Sequence, residues 1–204
     1  MNAGPRSRQA YDDLKRLLLS GTIPPGERLD PARLAEDLVS GLTPVREALL
    51  RLAGERLVEI RLNTGFHLPV MTETILIDLY RLHFELLRLV LTATGSREPT
   101  LPISTLPISM PAASYAESAA ALFLAIADSS QRPELFAQFV TINNRLASAR
   151  AAEAIVFGDV IEELKSINDI KYESRNACIR NLRTYHSRRI ANVRELVSEI
   201  YNTD

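Results

Sequence analysis

The chain has 204 residues, 24 basic and 25 acidic side chains, a formal net charge of -1 and 46% hydrophobic residues. That length holds one large domain or two small ones, each able to bury a core of its own. The single cysteine, Cys178, excludes an internal disulfide and a cysteine-rich metal cluster, and the near-neutral charge leaves nucleic-acid binding undecided, since only residues close to the phosphates release counterions. The longest apolar runs, such as Ile75–Leu76–Ile77, are far too short to cross a bilayer, and Met1–Arg8 lacks the apolar core of a secretion signal. A cytoplasmic protein with no membrane contact is therefore expected.

The first seventy residues are tightly punctuated. A helix is expected over Ser7–Leu19, with Tyr11, Leu14 and Leu18 on one face. Ile23-Pro24-Pro25-Gly26 must turn, because two prolines and a glycine do not continue a helix. A second helix, Pro31–Val39, points Leu34, Ala35 and Leu38 inward and breaks at Gly41–Leu42. A third begins with Thr43 as N-cap and Pro44 at the first helical position. Val45, Leu49 and Leu52 form its buried stripe, leaving Thr43, Arg46, Glu47 and Leu50 facing outward. After Gly54 the period changes to two: Val58, Ile60 and Leu62, then Phe66, Leu68 and Val70, with Asn63-Thr64-Gly65 as the turn. Three short helices and a two-stranded hairpin are the plan of a winged helix-turn-helix.

From Thr72 onward the pattern is helical. Ile75, Leu79, Leu82, Leu86 and Leu89 recur along one side and Phe84, Leu87 and Val90 along another, so this helix is buried centrally or shared with a second chain. Gly95–Ala113 carries four prolines and reads as a long loop. Helices are expected over Ser114–Ala127, Pro133–Ala151, Glu153–Ser166, Tyr172–Ser187 and Ile190–Tyr201. The fold class is thus mainly α: an N-terminal winged helix-turn-helix over residues 1–71, and an all-α bundle over residues 72–204.

In a helix-turn-helix the first residues of the second helix enter the major groove. Here those are Thr43, Pro44, Val45 and Arg46, and Arg46 could pair bidentately with guanine or clamp a phosphate. The wing tip, Asn63, Thr64 and Gly65, is placed to reach the adjacent minor groove, and Arg6 and Arg8, read as lying just ahead of the first helix, add phosphate contacts. Taken singly, Arg46 is more often a solvated surface arginine and Asn-Thr-Gly only a hairpin turn.

Together, Pro24-Pro25-Gly26-Glu27-Arg28-Leu29, Leu34-Ala35, Thr43-Pro44-Val45-Arg46-Glu47-Ala48-Leu49, Leu52, Leu57-Val58 and Gly65 resemble the DNA-binding domain of GntR-family regulators over residues 7–70. The helical remainder resembles, by length and helix order, the FCD ligand-binding domain of that family's FadR-type subgroup. The resemblance implies a homodimer on double-stranded DNA, a short palindromic operator and a small-molecule effector. Members usually carry Gly-Val-Ser-Arg before the Thr-Pro-Val-Arg run, whereas this chain has Val39-Ser40-Gly41-Leu42. Leu42 thus replaces an arginine that commonly contacts DNA, and it either meets a thymine methyl or simply packs.

Many FCD domains hold a divalent metal through one Asp and three His. The matching positions here are Ala120, Leu124, the neighbourhood of Val160–Ile161, and His186, so no metal of that type and no other cofactor is expected. Arg81, His83, Leu124, Asn143, Arg145, Asn176 and His186 are the candidate effector-lining residues, and Glu85 stands beside them. Leu124 and Ile161 in place of ligands suggest hydrophobic contact plus one or two polar anchors, which suits an organic acid or a fatty-acyl-type molecule. His186-Ser187-Arg188-Arg189 reads as a solvated basic helix end. No hydrolase, phosphate-loop, dinucleotide or zinc-protease motif is present, so an enzyme is not expected. A signal-blind DNA-binding dimer is the competing reading.

Overall fold

The computed structural model describes residues 4–93, 115–168 and 175–202. The expected loop at Gly95–Ala113 and the first residues of the expected Tyr172–Ser187 helix lie outside them. The chain divides into two compact units, one ending at Met71 and one running from Thr72 to Asn202. The fold is mainly helical, with one small sheet.

In the first unit α1 (Pro5–Leu19) packs along α3 (Leu42–Gly54), and α2 (Pro31–Asp37) lies against α3. Ala10, Leu14 and Leu18 of α1 meet Val45, Leu49 and Leu52 of α3, with Leu34 and Ala35 of α2 beside them. Burying each of the larger side chains contributes roughly 1.5–3 kcal/mol. The start of α2 is set by Asp30, whose carboxylate accepts from the amides of Ala32 (2.8 Å) and Arg33 (3.3 Å) just before Pro31. Arg6 and Arg8 belong to the first turns of α1 rather than preceding it, because the helix opens at Pro5. Thr43 is not the cap of α3. The helix starts two residues earlier, at Leu42, with Gly41 as an N-cap that offers no side chain. Pro44 falls in the first turn, where a missing N–H costs nothing.

Both α2 and α3 end in the same way. Ser40 N donates to Ala35 O (2.9 Å) and Val39 N to Glu36 O (3.1 Å); Leu57 N donates to Leu52 O and Arg56 N to Ala53 O, each at 3.0 Å. These are Schellman pairs, and they place Val39 (φ 48°) and Arg56 (φ 60°) in the left-handed region. A β-branched side chain is poorly suited there, and Val39 gains no burial in return, being 94% exposed. Val39→Gly is therefore expected to stabilise this unit by about 1 kcal/mol. The check is the urea midpoint at constant m-value; an unchanged or lower midpoint would refute the strain.

The sheet has three strands, not the two the sequence suggests. β1 (Arg28–Leu29), β3 (Gly65–His67) and β2 (Glu59–Arg61) pair antiparallel in that order, with Leu29 opposite Phe66 and Ile60 opposite Phe66. A two-residue strand has no alternation to read. It is fixed by Gly26 (φ 88°), whose amide donates to Leu68 O while Leu68 N donates to Glu27 O, both at 2.9 Å. The expected inward trio of the wing is also revised: Val58 is buried, but Ile60 and Leu62 are exposed. The core ends at Val58, so alternation beyond it has nothing to pack against.

In the second unit α4 (Glu73–Ala93) packs against α5 (Tyr115–Asp128), α6 (Pro133–Arg145), α9 (Arg175–Ala191) and α10 (Val193–Ile200). Its buried stripe is Leu76, Leu79, Tyr80, His83, Leu87 and Val90, and the expected stripe is split, with Leu82 and Leu89 nearly half exposed. The expected helix Pro133–Ala151 is two: α6 stops at Arg145 and α7 runs Ala147–Val156, because Leu146 leaves helical geometry. The expected helix Glu153–Ser166 is interrupted as well. Phe157 turns to extended backbone beside Gly158, and α8 begins at Val160. No described helix is long and apolar enough to cross a membrane.

Candidate nucleic-acid interface and buried polar centre

On the first unit, α3 presents Leu42, Thr43, Arg46, Glu47 and Leu50 to solvent, with Pro44 half-buried beneath them. Arg46 forms no ion pair among the described residues. Its acidic neighbour Glu47 is engaged elsewhere, accepting from Ser7 Oγ of α1 at 2.7 Å. That bond lies along a groove of about 560 Å³ lined by Arg6, Ser7, Ser40, Thr43, Pro44 and Glu47. Arg6 and Arg8 are exposed on α1. At the far end of the α1–α3 contact, Glu55 accepts from Lys15 Nζ (2.6 Å) and from Tyr11, and the Arg51 guanidinium stacks 4.0 Å from the Tyr11 ring. These contacts fix the angle at which α3 is displayed.

The wing tip has the geometry its residues suggest. Asn63 (φ 63°) and Gly65 (φ 85°) take the left-handed region, Thr64 N donates to Arg61 O, and all three tip residues are exposed. Nothing lies within 4 Å of where a Cβ on Gly65 would sit, so glycine serves the backbone angle there rather than a tight fit. Arg61 is paired with Glu59 at 3.0 Å.

The second unit carries polar groups at its centre. Glu153 on α7, fully buried, accepts from the hydroxyls of Tyr80 (2.6 Å), Tyr115 (2.6 Å) and Tyr185 (3.0 Å) and from Arg189 Nε (2.9 Å). Burial alone would raise its pKa, but the Arg189 charge and the phenol hydrogen bonds hold it below the ordinary carboxylate value. Burial pushes the Tyr185 phenol up to about 12. Arg189 also donates to Tyr185 O (3.0 Å) and pairs with Glu163 (2.7 Å).

Beside this lies a second chain of bonds. His186 Nδ1 must donate to Leu182 O (2.6 Å), since a carbonyl only accepts. His186 Nε2 then accepts from His83 Nδ1 at 2.8 Å, which leaves His83 Nε2 to accept from Arg150 Nη2 at 3.4 Å. Both imidazoles are therefore neutral. Burial drives both pKa values down, His186 to about 3, among Phe84, Phe123 and Phe139. Arg150 is only 1% exposed and donates to Asn143 O (2.8 Å) and Asn143 Oδ1 (2.6 Å), yet no carboxylate pairs with it among the described residues.

Three of the candidate effector residues, His83, Asn143 and His186, thus come together. Leu124 and Arg145 are half-buried, while Arg81 and Asn176 are exposed and do not line an interior site. The expected solvated end at His186–Arg189 is overturned: His186 and Arg189 are core residues, and Arg188 pairs with Asp159 at 2.5 Å. Tyr80, Tyr115, Arg150, Glu153, Tyr185 and Arg189 escape the sequence reading. One signal was present, since Leu146, Arg150, Glu153 and Phe157 recur at core spacing along α7. At the metal-equivalent positions Ala120, Leu124 and Ile161 are half-buried and Val160 is buried, and no metal-ligating cluster occurs among the described residues.

A helix pair crossed by α1, with an outward second helix and a glycine-tipped wing, defines a winged helix-turn-helix module of the DNA-binding class. Residues 6–68 match the profile described as "Bacterial regulatory proteins, gntR family". The N-terminal unit of this chain belongs to the GntR family. Among curated proteins it is similar to the HTH-type transcriptional regulator McbR of Escherichia coli K12, 38% identical over 78 residues, covering 38% of this chain and 35% of that protein. The HTH-type transcriptional repressor GlaR of the same organism is 34% identical over 74 residues, 36% of this chain and 34% of that protein. The matched stretch spans about a third of these relatives, and both are named as regulators rather than enzymes. In fold the likeness runs further. The E. coli McbR/YncC structure has a TM-score of 0.66 at 21% identity over 94% of this chain and 98% of that one. A GntR transcriptional-regulator structure from Rhodococcus sp. RHA1 reaches 0.70 at 19%, over 93% and 98%.

Proposed function

We propose that this chain is a transcription regulator that binds a short palindromic operator as a homodimer through its N-terminal unit and answers a small-molecule effector through its helical one. The observation that carries the reading is the outward face of α3, where Thr43 and Arg46, the latter without an ion pair among the described residues, stand exposed near the start of the second helix of the motif. Repression is favoured because one relative, GlaR, is named a repressor. Exposed Leu82 and Leu89 on α4 support a face shared between two copies. Two recognition helices about 34 Å apart would then meet successive major grooves. For the effector, a small organic acid suits Arg150, a buried cation that hydrogen-bonds Asn143 and His83, lies over the Phe123 ring, and has no carboxylate partner among the described residues.

The test is Arg46→Ala, measured by fluorescence anisotropy on DNA from upstream of the chain's own gene. Binding is expected to weaken by about 1–3 kcal/mol, with the salt slope reduced by about one if the contact is to phosphate and retained if it is to a base. Unchanged affinity removes Arg46 from the interface. The competing signal-blind dimer draws support from the closed hydrogen-bond chain around Glu153 and His186. A thermal shift on adding small carboxylic acids separates the two.

A further inference from the structure

Leu42 is the first residue of α3 and is 41% exposed, whereas Val45, Leu49 and Leu52 of the same helix are entirely removed from water. It does not serve the core. Leu42, Arg46 and Leu50 follow one another at i, i+4 and i+8, so an apolar tip, a cation and a second apolar tip share one outward face. Gly41 ahead of it contributes no side chain that could shield it or cap the helix. Glu47, the next residue after Arg46, accepts a hydrogen bond from Ser7 on α1 and so is turned toward α1, while Leu42, Arg46 and Leu50 share the outward side.

We infer that Leu42 is a specificity-determining residue that selects thymine by contact with its C5-methyl group. The inference rests on the DNA-binding reading above and extends it to a base. In the major groove the thymine C5-methyl is the one apolar group that projects far enough to bury a side-chain tip; the other bases offer hydrogen-bonding groups and flat C–H edges. A leucine placed against guanine or adenine acceptors, or the cytosine amine, would strip water from them and offer no bond in exchange. Against thymine the same side chain buries a methyl. The flanking Thr43 and Arg46 hold the register through phosphate or base contacts.

Uracil differs from thymine in that methyl alone, so it isolates the contact. Duplexes are first selected by the full-length chain from a pool randomised over one operator length. Thymidines of the best duplex are then replaced by deoxyuridine one position at a time. The expected result is one position in each half-site where loss of the methyl weakens binding about four-fold, a penalty that vanishes in Leu42→Ala and persists in Leu42→Met, which keeps an apolar tip. Both substitutions are at an exposed position and leave the core intact. The assignment is overturned if no position responds to uracil, or if the penalty survives in Leu42→Ala. A pool in which no sequence is enriched overturns the DNA-binding reading itself, and Leu42 with it.

Discussion

Glu153→Gln is expected to destabilise the helical unit by about 3–5 kcal/mol, the largest single-residue effect in the chain. The carboxylate accepts three phenol hydrogens and one guanidinium hydrogen in a site without water contact. An amide of the same shape has one acceptor oxygen in place of two and turns two N–H groups toward groups that already donate. It also removes the charge opposite Arg189, leaving that guanidinium Glu163 as its carboxylate partner among the described residues. Breaking a buried ion pair from one side costs far more than replacing both members. Glu153→Met with Arg189→Met should therefore recover part of the loss. Hydrogen exchange of α7 and α9 amides reads the effect, and protection unchanged in Glu153→Gln would show that the network is decorative.

The second large effect is acid lability. His186 is held neutral, its pKa pushed from 6.5 to about 3 by burial, and His83 is lowered in the same direction. A base whose pKa is lower when folded takes up its proton only on unfolding. The stability it supports is complete above about pH 6.5 and falls as the pH drops below that value. At pH 5 the His186 shift alone removes about 2 kcal/mol. Glu153 adds to the same limb, since its carboxylate pKa lies below the unfolded 4.5 and its contribution is lost on further acidification. Urea midpoints should thus be level above pH 7 and decline from pH 6.5 to pH 5. His83→Phe with His186→Phe should flatten that decline; a flat profile in the parent chain would mean the imidazoles are hydrated.

The N-terminal unit was largely legible because its signals are local. Ile23-Pro24-Pro25-Gly26 cannot continue a helix whatever surrounds it, the Val45–Leu49–Leu52 stripe needs only helical period, and Asn63-Thr64-Gly65 selects a turn by backbone angle. Its misreadings share a cause. Thr43 is a good cap by type, but α2 ends in the Schellman turn through Val39 and α3 begins soon after it, two residues earlier than expected. β1 exists because β3 is there to pair with it, through Phe66 and His67.

In the helical unit, periodicity marked the helical stretches but neither their breaks at Leu146 and Phe157 nor their content. Arg150 and Glu153 on an alanine-rich helix, and His186-Ser187-Arg188-Arg189 near the end of another, carry the composition of a solvated surface. They are interior because Tyr80 on α4, Tyr115 on α5 and Tyr185 on α9 converge from three helices to satisfy one carboxylate. A charge is buried only when distant residues complete its hydrogen bonds. Sequence alone thus determined the reading head, its outward residues and the helical class of the rest. Tertiary structure decided that Leu42 faces solvent rather than the core and that the second unit is built around a charged centre. Both depend on which neighbours arrive in space, and such neighbours leave no mark on local spacing.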